Sequence, residues 1–560
     1  MRFKTFGKIL KYFFLGMLIL LAGSLIYFLI AIRVDPPVIE ENVVAELETS
    51  YCGDNFRICG PGRLQHNSFG LWEVFVKGDP FELGVINGKL THDLIRFQED
   101  AFVEQIYTLV PSKAYLHVLK YFIAWFNRSL EDHIPMRYQL EIYGVSLSAS
   151  DAYDFIGDKY RRILNYHAAH DMGHALQNMN LVGCTAFSVW DEESADGSLV
   201  IGRNFDFHVG EAFNENKMLL FVEPDAGHRF VIVTWGGMIG AVSGMNEQGL
   251  TVTLNAAKSG IPFSSATPVS ILARNILQFA SDIKEAYAIA DESQTFVAES
   301  FLIGSAKDGR AAIIEKTDEE TVLYQPEGKR IIQTNHFLAP ELAGQELNRE
   351  NMKNTATVCR YDRVKELLDG MDEIGPREAA GILRDRKGMN GKDIGMGNEK
   401  AINQLIAHHS IIFKPEQRLF WISAGPYPLG EYLCYNLDSV FAHFPAADSG
   451  LLLFEQKETL EADPFLKSEK YARFVEYKEH AAEITRALKE GRDTTFDAGE
   501  FIRLNPEYFM SYKLLGEWYQ QKDQWERAEK YYREALTKVI PTEYERRSVQ
   551  DKLAEVTDRN

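Results

Sequence analysis

The sequence predicts an α+β protein in which packed sheets are covered by helices, entered through an apolar helix and closed by an all-α C-terminal region. Three observations carry this. From residue 184 the chain breaks into short strands, "CTAFSVW", "LVIGRNFDF", "MLLFVEP", "RFVIVTW" and "LTVTLNA", separated by turn signals such as "ADGS" and "NEQG". Helical segments near 268–292 and 360–386 alternate with strands near 299–334 and a late hairpin, "SIIFKPEQRLFWIS"; strands, helices and strands again make a layered domain. From about residue 460 the pattern is helical to the end.

The first element is "YFFLGMLILLAGSLIYFLIAI", residues 12–32, with 21 residues and no charge. That length crosses about 30 Å of hydrocarbon. Arg2, Lys4, Lys8 and Lys11 precede it, and Asp35, Glu40 and Glu41 follow. The positive-inside rule therefore keeps the N-terminus cytoplasmic and exports everything from Arg33 onward. The apolar run is long and no small-x-small site follows it, which favours a retained single-pass anchor over a cleaved signal peptide. Residues 1–34 are thus read as cytoplasmic stub and membrane anchor, and 35–66, opening on "RVDPPVIEEN", as a linker. Residues 67–183 carry long apolar-periodic runs such as "LTHDLIRFQEDAFVEQIYTLV" and read as a helical segment. Residues 184–455 hold the layered domain and 456–560 the C-terminal helices.

Within those helices, Leu515, Gly516, Tyr519, Ala528, Tyr532 and Ala535 stand where a tetratricopeptide (TPR) helix–turn–helix places them, with Pro541 one residue late. One repeat cannot bury its own face, so flanking helices or the main domain must cover it. A docked cap and a partner-binding surface are both consistent with that pattern.

Length and composition set bounds. The 560 residues suffice for two to four domains, and an apolar fraction of 46% with 12% aromatics belongs to a packed globular chain. A net charge of −20 argues against a nucleic-acid partner, which needs clustered Lys and Arg. The cysteines are Cys52, Cys59, Cys184, Cys359 and Cys434. In an exported chain "CGDNFRIC" reads as a local disulfide between Cys52 and Cys59. Three cysteines then remain, so at least one thiol is free, which flags chemistry.

Cys184 follows Gly183 and opens "CTAFSVWDEESADGSLVIGRNFDF". If Trp190 pairs with Leu199 or Val200, antiparallel register sets Cys184 beside Phe205 or Asp206 and brings Arg203 near. A neighbouring guanidinium lowers a thiol's pKa, and a carboxylate can hold an amine in position. Cleavage after Gly183 would make Cys184 an N-terminus, whose α-amine, of pKa about 7.7–8.0, can serve as base for its own side chain.

From about residue 75 to 430 the chain resembles N-terminal-nucleophile (Ntn) amidohydrolases of the acyl-CoA:6-aminopenicillanic acid acyltransferase-like group, relatives of choloylglycine hydrolases and acid ceramidases. The resemblance rests on ordered motifs: "GDPFELGVINGKL", "GCTAF" with "GRNFDF", "GMNEQGLTVTLNA", "QTNH" and "CRYDR". It implies a four-layer αββα sandwich, autocleavage between Gly183 and Cys184, and a pro-segment over residues 67–183. It further implies Cys184 as nucleophile, Arg203 and Asp206 flanking it with Asp206 orienting the α-amine, and Asn335 as oxyanion donor with Asn255 as a second. Arg360 would complete the polar network, with Arg363, one turn later, in competition. Asn246 in "NEQG" is read as turn chemistry. No cofactor and no metal is implied.

A competing cluster, "HAAHDMGHALQN", puts His167, His170 and His174 on one helical face. It lacks the Glu that a zincin carries between its histidines, which favours hydrogen bonding in the core over zinc. The resemblance implies acyl transfer from the amide of an N-acyl compound: an N-acyl amino acid, a lipid amide, a bile-salt conjugate or a penicillin-like molecule. The acceptor is water or a second amine. A phospholipase-B-like esterase on the same fold, and a non-catalytic membrane-anchored scaffold using its TPR-like tail, remain alternatives. The expected partners are a small-molecule amide and the membrane, with a possible protein at the tail.

Overall fold

A computed structural model describes residues 2–39, 47–51, 53, 55–109, 112–176, 183–207, 210, 212, 215–258, 260, 262 and 264–559. The N-terminal helix α1 (Arg2–Ala31) contains a stretch, Leu10–Ala31, long and apolar enough to cross a membrane. Its distal end meets the rest of the protein through Phe28, which stacks on Trp125.

Strands β1 (Thr49–Tyr51), β2 (Phe56–Cys59), β3 (Gly62–His66) and β4 (Trp72–Gly78) come next. They place strands within the expected linker over 35–66 and at the start of the segment 67–183, which the sequence reads as mostly helical. The reason is chemical: Arg57, Gln65 and Glu73 are buried polar residues inside these strands, so the apolar alternation that marks a half-buried strand is broken. Arg57 donates to the Leu90 carbonyl and to Asp93; Gln65 and Tyr435 donate to Glu73. Cys59, expected in a disulfide with Cys52, is a buried free thiol that the β1–β2 register sets opposite Thr49. Cys52 lies outside the described residues.

Helices α2 (Pro80–Leu90), α3 (His92–Leu109), α4 (Lys113–Phe126), α5 (Met136–Ser146) and α6 (Lys159–Leu176) follow. Asp79 and Glu82 form a reciprocal capping box at the start of α2. Helices α2 and α5 touch backbone to backbone because a Cβ on Gly84 would lie 2.0 Å from the Glu141 carbonyl oxygen.

The strands β5 (Thr185–Asp191), β6 (Gly197–Asp206), β7 (Met218–Pro224), β8 (Phe230–Thr234), β9 (Ser243–Asn246) and β10 (Leu250–Ala256) occupy the region where the sequence predicts them. Helices α7 (Val269–Phe279) and α8 (Ile283–Glu292) lead to β11 (Glu299–Ser305), β12 (Arg310–Lys316), β13 (Thr321–Tyr324) and β14 (Arg330–Gln333). Then come α9 (Pro340–Ala343), α10 (Glu346–Asn354), α11 (Thr357–Asp369) and α12 (Pro376–Leu383), and strands β15 (Ala407–Lys414), β16 (Leu419–Ser423) and β17 (Tyr432–Asn436).

Two sheets result. The larger runs β1-β2-β3-β4-β7-β8-β9-β10-β11-β12-β13, the smaller β14-β5-β6-β15-β16-β17. Strand β4 lies parallel to β7, so the segment before Cys184 is built into the larger sheet. Leu219, Phe221 and Val233 of that sheet share one apolar core with Ile201, Ile411 and Ile422 of the smaller. The larger sheet's other face packs on α2, α5, α6 and α7, through residues such as Ile86, Ile142, Ile163 and Leu272. The smaller sheet's outer face packs on α11 and α12 through Val364, Leu368 and Leu383.

After α13 (Leu437–His443) the chain stays on the smaller sheet as far as Leu460, which bridges Tyr432, a few residues beyond the expected boundary. Helices α14 (Glu469–Glu490), α15 (Ala498–Leu504), α16 (Phe509–Gln521), α17 (Trp525–Thr537) and α18 (Glu543–Thr557) follow. Helices α16 and α17 close on each other where Gly516 faces the Tyr532 ring, a Cβ there falling 2.5 Å from it. Tyr532, Ala535 and Val549 bury one side of the pair against α18, while Leu515 and Trp518 bury the other against α14 and the loop at Met396 and Leu405.

Candidate active site

Cys184 sits at the mouth of the β5–β6 hairpin. Val189 pairs with Val200 and Thr185 with Asn204. One step further the Gly183 N–H donates to the Asp206 carbonyl at 3.0 Å, which puts Cys184 opposite Phe205, one of the two positions the sequence allows.

The thiol is fully buried, with an Arg203 amino group 3.7 Å from its sulfur. Arg203 is held by its remaining bonds: it donates to the Val242 carbonyl at 2.9 Å, the Ser243 hydroxyl at 2.6 Å, His409 Nε2 at 3.2 Å and the Leu254 carbonyl. Against the expected acidification, burial pushes the Cys184 thiol up to about 11; Arg203 opposes this, and Asp206 and Glu299 reinforce it. The hydration a thiolate loses on burial outweighs the attraction of one guanidinium.

Asp206 is equally buried, and burial pushes its carboxyl up to about 7 against the pull of Arg360 and Arg203. Its Oδ1 has no hydrogen-bond partner among the described residues, and Oδ2 accepts from Gln404 Nε2 at 3.5 Å. Glu299 lies in the same electrostatic neighbourhood, with neither carboxylate oxygen hydrogen-bonded among the described residues. Burial holds it well above the usual carboxylate range, Asp171 adding and Arg203 opposing.

The carbonyl oxygen of Gly183 accepts from Arg360 and from Gln404 Nε2, each at 2.8 Å. Arg360 also donates to the Cys184 carbonyl, to the Thr185 hydroxyl at 2.9 Å and to Asn335 Oδ1 at 2.7 Å. Asn335 gives an amide hydrogen to the Ala256 carbonyl at 2.9 Å. Asn255 gives its amide hydrogens to the carbonyls of Gln333, at 3.3 Å, and Thr334, at 3.1 Å, away from the Gly183 carbonyl. Arg363 points elsewhere, pairing with Asp385 and Glu366 at 2.7 and 3.0 Å. Asn246 closes its turn by accepting from the N–H groups of Gln248 and Leu250 and donates to the Leu277 and Ala280 carbonyls.

His167 uses both ring nitrogens in the core, donating from Nδ1 to the Ile163 carbonyl and accepting at Nε2 from the Ile239 N–H; burial holds it down at about 4. The side chains of His170 and His174 lie outside the described residues. Among the described residues no three His, Cys, Asp or Glu side chains group as metal ligands. Sequence reasoning missed Gln404, Glu299 and the Ser243–His409 pair. Gln404 sits in "GNEKAINQL", a loop with no periodic or motif signal.

The match to a family model agrees with the resemblance read from the motifs. A model of the family described as acyl-coenzyme A:6-aminopenicillanic acid acyl-transferase matches residues 190–426, a stretch that takes in Arg203, Asp206, Asn255, Asn335 and Arg360 and begins just past Cys184. An uncharacterized protein of Archaeoglobus fulgidus is 25% identical over 315 residues, 49% of this chain and 51% of that protein. The chain thus spans about half the length of the curated relative it matches. A Caenorhabditis elegans N-acylethanolamine-hydrolyzing acid amidase ortholog is similar over 42% of this chain and 93% of its own, with 14% identity and a TM-score of 0.30. A mutant of the conjugated bile acid hydrolase from Clostridium perfringens is similar over 46% of this chain and 92% of its own, with 14% identity and a TM-score of 0.31.

Proposed function

We propose that this chain is a self-activating cysteine amidohydrolase or acyltransferase of the Ntn type, with Cys184 as nucleophile and an N-acyl amide as substrate. One observation carries the reading: a buried thiol at the mouth of a sheet hairpin, next to two arginines and a carboxyl poised near neutrality, follows a carbonyl gripped by two side-chain donors. Two sheets sharing a core, each covered on its outer face, support the four-layer αββα arrangement.

In activation, the Cys184 sulfur bonds to the Gly183 carbonyl carbon and the Gly183–Cys184 C–N bond breaks. The thiol proton ends on the departing nitrogen; Asp206, at about 7, is suited to take and return it. Water then hydrolyses the thioester, leaving a Gly183 carboxylate, a free thiol and a Cys184 α-amine. In turnover the α-amine serves as base, Asp206 orients it, and Asn335 meets the oxyanion. Asn255 secures the Gln333–Thr334 backbone that carries Asn335. The helix Leu10–Ala31 spans the membrane once with the N-terminus cytoplasmic, which favours an amphipathic N-acyl lipid or N-acyl amino acid. Helices α16 and α17 are a TPR-like repeat that serves as a docked cap.

Intact-mass spectra of wild type and Cys184→Ala test the reading. Two fragments in the wild type, the second beginning at Cys184, with one uncut mass in the variant, support it. An uncut chain in both turns the reading toward the scaffold. Matched amide and ester substrates then separate an amidohydrolase from an esterase.

A further inference from the structure

We propose that Gln404 is a catalytic residue of the self-cleavage step, donating with Arg360 to the Gly183 carbonyl oxygen, and that the C-terminal helices hold it in place. This rests on the self-activation proposed above and deepens it. A backbone carbonyl is satisfied by one donor, yet the Gly183 oxygen receives two side-chain donors at 2.8 Å. Such a pair is matched to an oxygen that gains charge. When the Cys184 sulfur adds to the Gly183 carbon, that oxygen becomes the oxyanion. As the adduct collapses, the C–N bond breaks and the nitrogen leaves with the thiol's proton; a water hydrolyses the thioester.

A second observation points to the same contact. A Cβ on Gly183 would lie 2.4 Å from Gln404 Nε2, so the absence of a side chain at 183 is what admits the amide to the carbonyl. Gln404 Oε1 and Asp206 Oδ1 are both buried acceptors without a hydrogen-bond partner among the described residues. They are available to an ammonium group, which the freed Cys184 terminus supplies.

What sets Gln404 there is the loop from Asp385 to Leu405, and what sets the loop is the tail. The Asn403 N–H donates to the Asp385 carbonyl at 2.8 Å, and Leu405 adopts a left-handed φ of 56°. That turn sends Leu405 into one apolar cluster with Met396 and the tail residues Phe474, Tyr477 and Leu515. Asn505 clamps Met396 at both ends, donating to its carbonyl at 2.8 Å and accepting its N–H at 3.0 Å. Asn398 donates to the Val539 carbonyl at 2.8 Å, and Gly395 lies so close to Tyr508 that a Cβ would come within 2.5 Å of its backbone. Asn505 is therefore a positioning residue, acting through Gln404, and cleavage waits on a folded tail.

The test is cell-free synthesis of the full chain into lipid nanodiscs, with the cut fraction followed by timed intact mass. Gln404→Met keeps the volume and removes the donor; it is expected to be cut about a hundredfold more slowly than wild type. Asn505→Ala is expected to slow cleavage too, yet to add nothing on top of Gln404→Met, since both act on one contact. Gln404→Glu, compared at matched thermal midpoints, is expected to be slow at pH 8 and faster once its carboxyl is protonated and can donate. Cleavage of Gln404→Met at the wild-type rate, or of Gln404→Glu with the wild-type pH profile, overturns the proposal while leaving self-activation standing. A wild-type chain that is never cut removes both.

Discussion

The Arg360 guanidinium stands 2.8 Å from the Gly183 carbonyl oxygen and carries Asn335 on its other amino group at 2.7 Å. One side chain thus links the bond proposed for cleavage to the residue proposed for turnover. Arg360→Met is expected to slow self-cleavage by at least about a hundredfold, the cost of a lost oxyanion donor. Arg363→Met, which removes only the ion pairs to Asp385 and Glu366, is expected to cost stability while still allowing cleavage. Intact mass and thermal melting of the two variants, side by side, check the contrast.

Gly183→Ala makes a separate prediction. The added methyl meets the far end of a flexible side chain, so the fold survives by moving Gln404 aside. The chain is expected to melt close to wild type and to accumulate uncut. A Gly183→Ala chain cut at the wild-type rate would show that the close approach has no role.

The pH dependence of stability follows from the buried carboxyls. Glu299 is held well above its ordinary value near 4.5. Above that value the unfolded chain releases the proton while the folded chain keeps it, so stability falls as pH rises. Glu299→Gln removes the effect and is expected to melt a few degrees higher than wild type at pH 8, the gap closing below about pH 4.5. The buried histidines act oppositely: His167 and His336 are held down at about 4, so stability falls as pH drops below the ordinary histidine value of 6.5. Melting curves of wild type and variant against pH cancel the histidines and isolate Glu299.

The hairpin was legible because its alternation and turn narrow the pairing to two registers, and the one formed sets Cys184 opposite Phe205. Arg360 was preferred on its motif, with Arg363, one helical turn later, in competition; Asp385 and Glu366 engage Arg363 in ion pairs that the sequence did not announce. The acidity of Cys184 was misjudged because a nearby Arg203 is readable from register whereas depth of burial is not. Strands β1–β4 were missed because their inward residues include Arg57, Gln65 and Glu73. Gln404 had no signal of its own: its position depends on a tail clamp at Asn505, about a hundred residues downstream.

The segment before Cys184 is expected to stay in place after cleavage, and Glu141 gives the means to test it. Arg274, on α7, grips Glu141, on α5, with two amino groups at 3.3 and 3.0 Å, and both side chains are buried. Arg274 also donates to the Ile239 carbonyl at 3.0 Å, and β4 pairs with β7 along its whole length. Truncating one partner leaves the other charge buried and unpaired, at a cost of about 3–5 kcal/mol, whereas replacing both with apolar residues is close to neutral. Wild-type fragments are therefore expected to co-elute in size-exclusion chromatography. Glu141→Leu is expected to lower the thermal midpoint and release the N-terminal fragment, and Glu141→Leu with Arg274→Met to restore most of the association. Fragments that separate in the wild type under native conditions would show that the shared sheet and this ion pair do not hold the two pieces together.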